Sequence, residues 1–410
     1  MANREYVISS IGIVAPGAIG KEAFWGFLEK GISGISNIES FPTDKFSVHI
    51  AGEVQNFDPK TYLGQKGLRN LDRSSLFLMA AAKLALDEAN LQITEANTDE
   101  IGVSTGTTFP HLSSMLEFDR EVFKDGLEFS NPALFPSTVL NAASSQVSIR
   151  FNIQGFNASV STGYTSALQA LKYARELLDN GKAKIVLCGA VESLTLSLYF
   201  GFYKLGYMAG INGEAISSPF DKRRNGPVLA EAAAMFCLED EASAKSRNAQ
   251  IFTKLKSVSC FFDGYRIGKI HPEGEGLEIV IRKAISDAGV SASEIDYISS
   301  CANSSQDLDK IEVKVLKNIF GERIAKIPVS SIKSALGETL SASGALQIAS
   351  CIGAMQSGVV PPTINYKEKD PECDIDCVPN QAQKKDVKLA LVVSFGPGGY
   401  NSACILEKYV

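Results

Sequence analysis

The sequence predicts an α/β protein in which one unit of alternating strands and helices occurs twice. Short apolar strands alternate with amphipathic helices along nearly the whole chain, the pattern of a sheet covered on both faces. The first half runs through "YVISSIGIVAP", the helix around "FLMAAAKLALDEA", "IGVSTGT", "ASVST", a helix over 165–179 and "KIVLCGA". The second repeats the theme with "GLEIVIRKAISDAG", "DYISSC", "DKIEVKVLKNIFG", "GALQIASCIGAMQSG" and "LALVVSFGPGG". No low-complexity linker separates them. Two intimately packed halves, 1–250 and 251–410, are therefore expected, divided after the strand "AAAMFCLED" and the polar stretch 239–249.

The helix over 165–179 shows how each element is justified. Ala167, Leu168, Leu171, Ala174, Leu177 and Leu178 recur at the three-and-four spacing of one buried face, and Gly181 follows where a C-terminal cap is needed. Lys172, Arg175 and Glu176 take the wet face. Functional residues are expected where the strand ends of the two halves converge.

Composition narrows the function classes. The 410 residues are 45% hydrophobic and 21% charged, ordinary for a chain with a large core, and the net charge is −6. An acidic chain has no general attraction for nucleic acid or an anionic membrane surface, and neither is expected as a partner. The run "DKRRNG" reads equally as a solvated turn or a docking patch. Residues 1–20 lack the pattern of a signal peptide, and no apolar run approaches the ~20 residues of a membrane span, so a cytoplasmic protein is expected. Eight scattered cysteines, many in apolar strands, suit reduced buried thiols. Cys373 and Cys377 are the only close pair and have no histidine near them, so neither a metal nor a cofactor is expected.

The stretch "FNASVSTGYTSALQALKYAREL", residues 156–177, is a strand that breaks at a glycine and launches a helix. That layout presents a nucleophile, yet Tyr164 stands there. Together with "SSPFDKRRNGPVLAEAAAMFCLED", "YISSCANSSQDLDKIE", "VSSIKSALGETLSASGAL", "GVVPPTINY" and "VVSFGPGGYNSACI", in this order and spacing, it resembles the β-ketoacyl-ACP synthases of the thiolase superfamily. The likeness is to the elongating type of fatty acid and type II polyketide synthesis. It implies the thiolase fold, a duplicated five-layer αβαβα sandwich.

Active members of that family acylate a cysteine at the strand-to-helix turn and use two histidines to decarboxylate malonyl-ACP. Carried over by motif, the cysteine position is Tyr164 in "TGYTS", the first histidine is Cys301 in "CANSS" and the second is Glu338 in "KSALGE". Lys333, Asp309 and Glu312 are retained. The family's second oxyanion-hole donor is a backbone N–H in S-F-G-F-G-G, and the matching residue of "SFGPGG" is Pro397, which has no N–H. A phenol with an ordinary pKa near ~10 is a poor acyl carrier, and losing one oxyanion donor commonly costs about 100- to 1,000-fold in rate. Glu338 as a carboxylate would repel a developing enolate. His49, His111 and His271 are the three histidines, and none falls on a catalytic position. In "VLAEAAA", Ala230, Ala232 and Ala234 replace the family's glycines, which stiffens that turn.

These departures are most similar to a chain length factor, the ketosynthase β subunit that pairs with an active ketosynthase α subunit and works on an acyl carrier protein's tethered polyketide. Such subunits commonly carry glutamine at the cysteine position, so Tyr164 leaves aromatic polyketide, polyene and related pathways open. No residue of this chain is then expected to be catalytic. The resemblance puts the dimer interface around 157–162 and a helix at 134–150, with a chain-limiting tunnel beside it, for which Phe135, Thr138, Val139 and Ala142 are candidates and Phe109 and His111 weaker ones. Two other readings are open: an acyltransferase or hydrolase using Cys301 with Glu338 or Lys333, and decarboxylative priming of malonyl-ACP. Two packing expectations accompany the degenerate site. Lys333 pairs with Glu312 or Asp309, and Tyr164 fills the acyl pocket with its hydroxyl bonded near Glu338.

Overall fold

The computed structural model describes residues 4–109 and 111–410. Its first half contains β1 (Tyr6–Ala15), α1 (Arg73–Glu88), β2 (Ile101–Gly106), α2 (Leu112–Asp125), α3 (Ala142–Phe151), β3 (Asn157–Val160), α4 (Ser166–Asp179), β4 (Ile185–Glu192), α5 (Leu196–Leu205) and β5 (Ala232–Asp240). The second contains β6 (Thr253–Phe262), α6 (Glu275–Asp287), β7 (Tyr297–Ser299), α7 (Gln306–Phe320), β8 (Val329–Ser330), α8 (Ser343–Ser357), β9 (Leu389–Phe395) and β10 (Tyr400–Lys408).

The strand order is β3-β2-β4-β5-β1 in the first half and β8-β7-β9-β10-β6 in the second. Direction repeats as well: the first two pairings of each half are parallel and the last two antiparallel. The duplication read from the sequence is thus a duplication of topology. A short antiparallel contact between Tyr6–Ile8 and Thr253–Leu255 joins β1 to β6.

Helices α1 and α3 cover one outer face, α6 and α7 the other, and α4 and α8 lie between the sheets, giving five α-β-α-β-α layers. Helix α8 is buried on every side from Ser343 to Met355, as a helix between two sheets must be. Its small residues permit that: at Gly353 an added Cβ would lie 2.4 Å from the Trp25 ring, whose Nε1 donates to the Ala349 carbonyl at 2.8 Å. Helix α4 ends at Asp179, and its predicted apolar face is buried as a block.

The helix expected at 134–150 is shorter than the sequence reading. Residues Phe135–Ser137 make a single 3₁₀ turn and the α-helix begins at Ala142. Pro132 and Pro136 explain this, since neither can donate an N–H to a continuous helix. No helix among the described residues is long and apolar enough to cross a membrane.

Candidate functional site

Strand β3 ends at Val160, Gly163 takes a positive φ of 66°, and one 3₁₀ turn over Gly163–Thr165 leads into α4. Ser166 ties the turn: its hydroxyl accepts from the Thr162 N–H at 2.9 Å and donates to the Gly163 carbonyl at 2.7 Å. Tyr164 is thereby held at the head of α4, its carbonyl accepting from the Ser394 hydroxyl at 2.8 Å.

The Tyr164 ring packs against Gly396 of the "SFGPGG" turn. An added Cβ at Gly396 would sit 2.5 Å from the ring, so the phenol fits only because that residue is glycine. Phe202, Tyr207, Asn303, Leu308 and Pro397 complete a vestibule of only 70 Å³ in front of it. Burial, then the nearby Glu338 and Cys301, push the phenol's pKa well above its ordinary value, so it stays protonated.

Behind the ring the degenerate positions meet. The Lys333 ammonium donates to Glu338 Oε2 at 2.8 Å and to the Cys301 carbonyl at 2.9 Å, and lies 3.4 Å from Cys301 Sγ and 5.7 Å from the Tyr164 ring centre. Burial opposes its charge, but Cys301 and Glu338 outweigh burial and raise its pKa. Glu338 also accepts from Asn303 Nδ2 at 2.8 Å, the Leu340 N–H at 2.8 Å and the Ser343 hydroxyl at 2.6 Å. Lys333 therefore pairs with Glu338, not with Glu312 or Asp309. The partner is five residues away because the turn after Lys333 folds Glu338 back onto it. The Tyr164 hydroxyl is not among the donors to Glu338, whose oxygens are already occupied by these four groups.

The retained carboxylates serve the backbone. Glu312 accepts from the Ser300 hydroxyl at 2.8 Å and the Cys301 N–H at 3.1 Å, and Asp309 from the Asn303 and Phe220 N–H groups at 2.9 Å each. Burial lifts Glu312 to about 7 and Asp309 to about 6. Cys301 is 0% exposed and donates its thiol to the Phe395 carbonyl at 3.2 Å. Burial pushes that thiol up to about 12 against the pull of Lys333, the opposite of an activated nucleophile.

The tunnel candidates are dispersed. Phe109 packs edge-on against Phe202 at 6.4 Å, and its N–H, with that of Thr108, donates to the buried Glu192. Phe135 is exposed and tilts against Phe118 at 5.8 Å, Val139 is exposed, and the Thr138 hydroxyl closes its turn by donating to the Phe135 carbonyl at 2.8 Å. Ala142 is buried at the start of α3. His111 is interior: Nδ1 lies 2.7 Å from Asp72 and Nε2 accepts the Ala143 N–H at 3.2 Å, linking α1, α2 and α3.

Sequence reasoning missed how much apolar surface surrounds these residues. Phe123, Leu127, Phe129, Leu140 and Ile149 stand in solvent with Phe135 and Val139, and α3, which carries Ile149, packs against β3, which pairs with β2 alone and is a sheet edge. Exposed large apolar side chains and an unpaired strand edge are features that a partner surface commonly covers. In "DKRRNG", Arg223 bonds Asp221 at 2.9 Å and Glu214 at 2.8 Å, and the buried Arg224 pairs with Asp370, so the run is a turn fastened inward.

Residues 3–244 match the β-ketoacyl synthase N-terminal domain, and residues 252–367 match the β-ketoacyl synthase C-terminal domain. The chain belongs to the β-ketoacyl synthase family. This β-ketoacyl synthase relative is 32% identical to a 3-oxoacyl-[acyl-carrier-protein] synthase 2 of Coxiella burnetii, over 100% of this chain and 99% of that one. It is also 32% identical to the tetracenomycin polyketide synthase ketoacyl synthase alpha subunit of Streptomyces glaucescens, over 99% and 98% of the two chains. Among solved structures it is similar to the ishigamide ketosynthase/chain length factor, with a TM-score of 0.92, 28% identity and 100% of each chain covered. It is likewise similar to AntDE:AntF, described as a type II polyketide synthase acyl-carrier protein in complex with its ketosynthase, with a TM-score of 0.90, 29% identity and 99% and 100% coverage.

Proposed function

We propose that this chain is a non-condensing ketosynthase subunit that pairs with an active ketosynthase and shapes the tunnel that sets the length of the partner's product. The carrying observation is the Tyr164 ring seated on Gly396, with the Lys333–Glu338 ion pair immediately behind it. A phenol, a buried thiol with a carboxylate, and a proline stand where condensation needs a thiol, two imidazoles and an N–H donor. No group there removes a malonyl carboxylate or holds an enolate, which also argues against priming. The sealed Cys301 argues against the relocated nucleophile.

The partner-facing surface would be the β3 edge with the exposed Phe135, Val139 and Ile149 around it. Partnership with an active ketosynthase is supported by the similarity to a ketosynthase/chain length factor, and work on a carrier-bound polyketide by the similarity to a ketosynthase in complex with its acyl-carrier protein. Side chains of that surface would form one wall of the tunnel, and enlarging one would shorten the space for the chain.

The test is reconstitution with malonyl-loaded carrier protein, with and without a ketosynthase carrying cysteine and both histidines. Product is expected only with both subunits present, and Val139→Trp is expected to shorten the product while turnover persists. An unchanged product length in Val139→Trp would remove the tunnel assignment.

A further inference from the structure

The parallel ladder that joins β7 to β9 ends with Ser299 opposite Val392, just short of the turn that seats Tyr164. Strand β9 continues to Phe395 with β10 as its neighbour, whereas β7 stops at Ser299 and the chain goes on into the Cys301 loop. Two side chains take over where the backbone rungs stop. The Cys301 thiol donates to the Phe395 carbonyl at 3.2 Å and accepts the Phe395 N–H at 3.4 Å. From α8, between the sheets, Gln347 Nε2 donates to the carbonyls of Ser299 at 3.0 Å, Ser300 at 2.8 Å and Val393 at 3.0 Å.

The amide is placed for its nitrogen. Gln347 is buried on a helix whose neighbouring positions Leu346, Ile348 and Ala349 are apolar and buried too. Its amide hydrogens converge on three carbonyls, while Oε1 is buried with no hydrogen-bond partner among the described residues. Turned over, the amide would set an oxygen against three carbonyl oxygens, so one orientation is allowed. An orphaned buried acceptor is unfavourable, and an aliphatic side chain would avoid it. That change would also withdraw the donor from three carbonyls at the ends of two strands. What Gln347 supplies, and an apolar core residue does not, is an N–H donor at the point where β7 and β9 part.

We infer that Gln347 is the positioning residue of the closed site: its amide nitrogen ties the ends of β7 and β9 together, and so keeps the Cys301 thiol sealed and the Phe395–Pro397 turn pressed against Tyr164. Both tethers run directly into that site. Ser300 precedes Cys301, and Val393 precedes Ser394, whose hydroxyl donates to the Tyr164 carbonyl at 2.8 Å. The inference concerns this chain alone and needs no partner subunit.

The test is iodoacetamide alkylation of the isolated, folded chain, with each cysteine followed by peptide mapping. Gln347→Met, close in volume and without an N–H, is expected to raise the alkylation rate of Cys301 at least about tenfold over wild type. Cys351, on the same helix, and Cys404 are equally buried and are expected to stay protected. A merely structural loosening would raise all three together. Gln347→Glu gives an independent measurement. Protonated, its carboxyl still donates one hydrogen to the carbonyls; ionised, it faces them with oxygen alone, so its pKa is raised on folding. Its urea midpoint is expected to lie near that of wild type at pH 5 and to fall progressively below it by pH 8. Unchanged Cys301 alkylation in folded Gln347→Met, or equal increases at Cys301, Cys351 and Cys404, overturns the inference. So does a Gln347→Glu midpoint that tracks wild type across that pH range, a result that decides the matter even if Gln347→Met does not fold. Because no ketosynthase is present, failure here leaves the partner reading standing.

Discussion

Lys333 and Glu338 form a 2.8 Å ion pair with side chains 3% and 0% exposed, in the middle of what would be a condensing site. A charge buried this deeply depends on its partner, so removing one side strands the other.

Glu338→Leu or Lys333→Met alone is expected to cost about 3–5 kcal/mol of stability, and the double variant to recover much of that loss. Urea unfolding at neutral pH checks both. Single variants that lose less than about 1 kcal/mol would show the pair is not what holds these turns together.

Tyr164→Cys restores the thiol to the head of α4 without restoring chemistry. Alkylation of the new thiol is expected, with condensation below about 1% of an intact synthase, because Pro397 donates no N–H and no imidazole faces the site. Carbon–carbon bond formation from malonyl-loaded carrier protein at a higher level would contradict this.

The Asp309 and Glu312 carboxylates give stability a defined pH dependence. Both titrate higher folded, at about 6 and about 7, than their ordinary values of 3.8 and 4.5. In that window the native state binds more protons than the unfolded state, so their contribution is complete below about pH 4 and is lost as pH rises through 7. Wild type is expected to lose on the order of 2 kcal/mol more than Glu312→Gln between pH 5 and pH 8. Parallel stability curves for the two proteins would contradict the assignment.

On the proposed partnership, the β3 edge and its apolar surroundings would carry partner binding. Phe135→Asp with Ile149→Asp changes two exposed side chains, so the fold is expected to survive with a change in melting temperature of a few degrees or less. Co-purification with the active ketosynthase is expected to fall at least about tenfold. Undiminished association would move the interface elsewhere.

Much of this site was legible in the sequence because motif order fixes what stands at each turn: Tyr164, Cys301, Glu338 and Pro397 fall on four loops that both halves of the fold bring together. Pairing was less legible. Lys333 finds Glu338 through the local path of the turn Gly337–Leu340, which residue types alone do not specify. The helix assumed from 134 was cut short by prolines whose effect the apolar pattern around them masked. The open trough lined by Leu112, Leu116, Leu196 and Phe200 was invisible for a different reason: these residues have the spacing of ordinary core positions, and only tertiary structure leaves them partly open.

The central claim is that acyl chemistry in the complex resides wholly on the partner. Intact-mass analysis of both subunits after exposure to acyl-loaded carrier protein tests it most directly. The account predicts an acyl adduct on the ketosynthase that carries the cysteine and none on this chain. An adduct on this chain, at Tyr164 or Cys301, would contradict it.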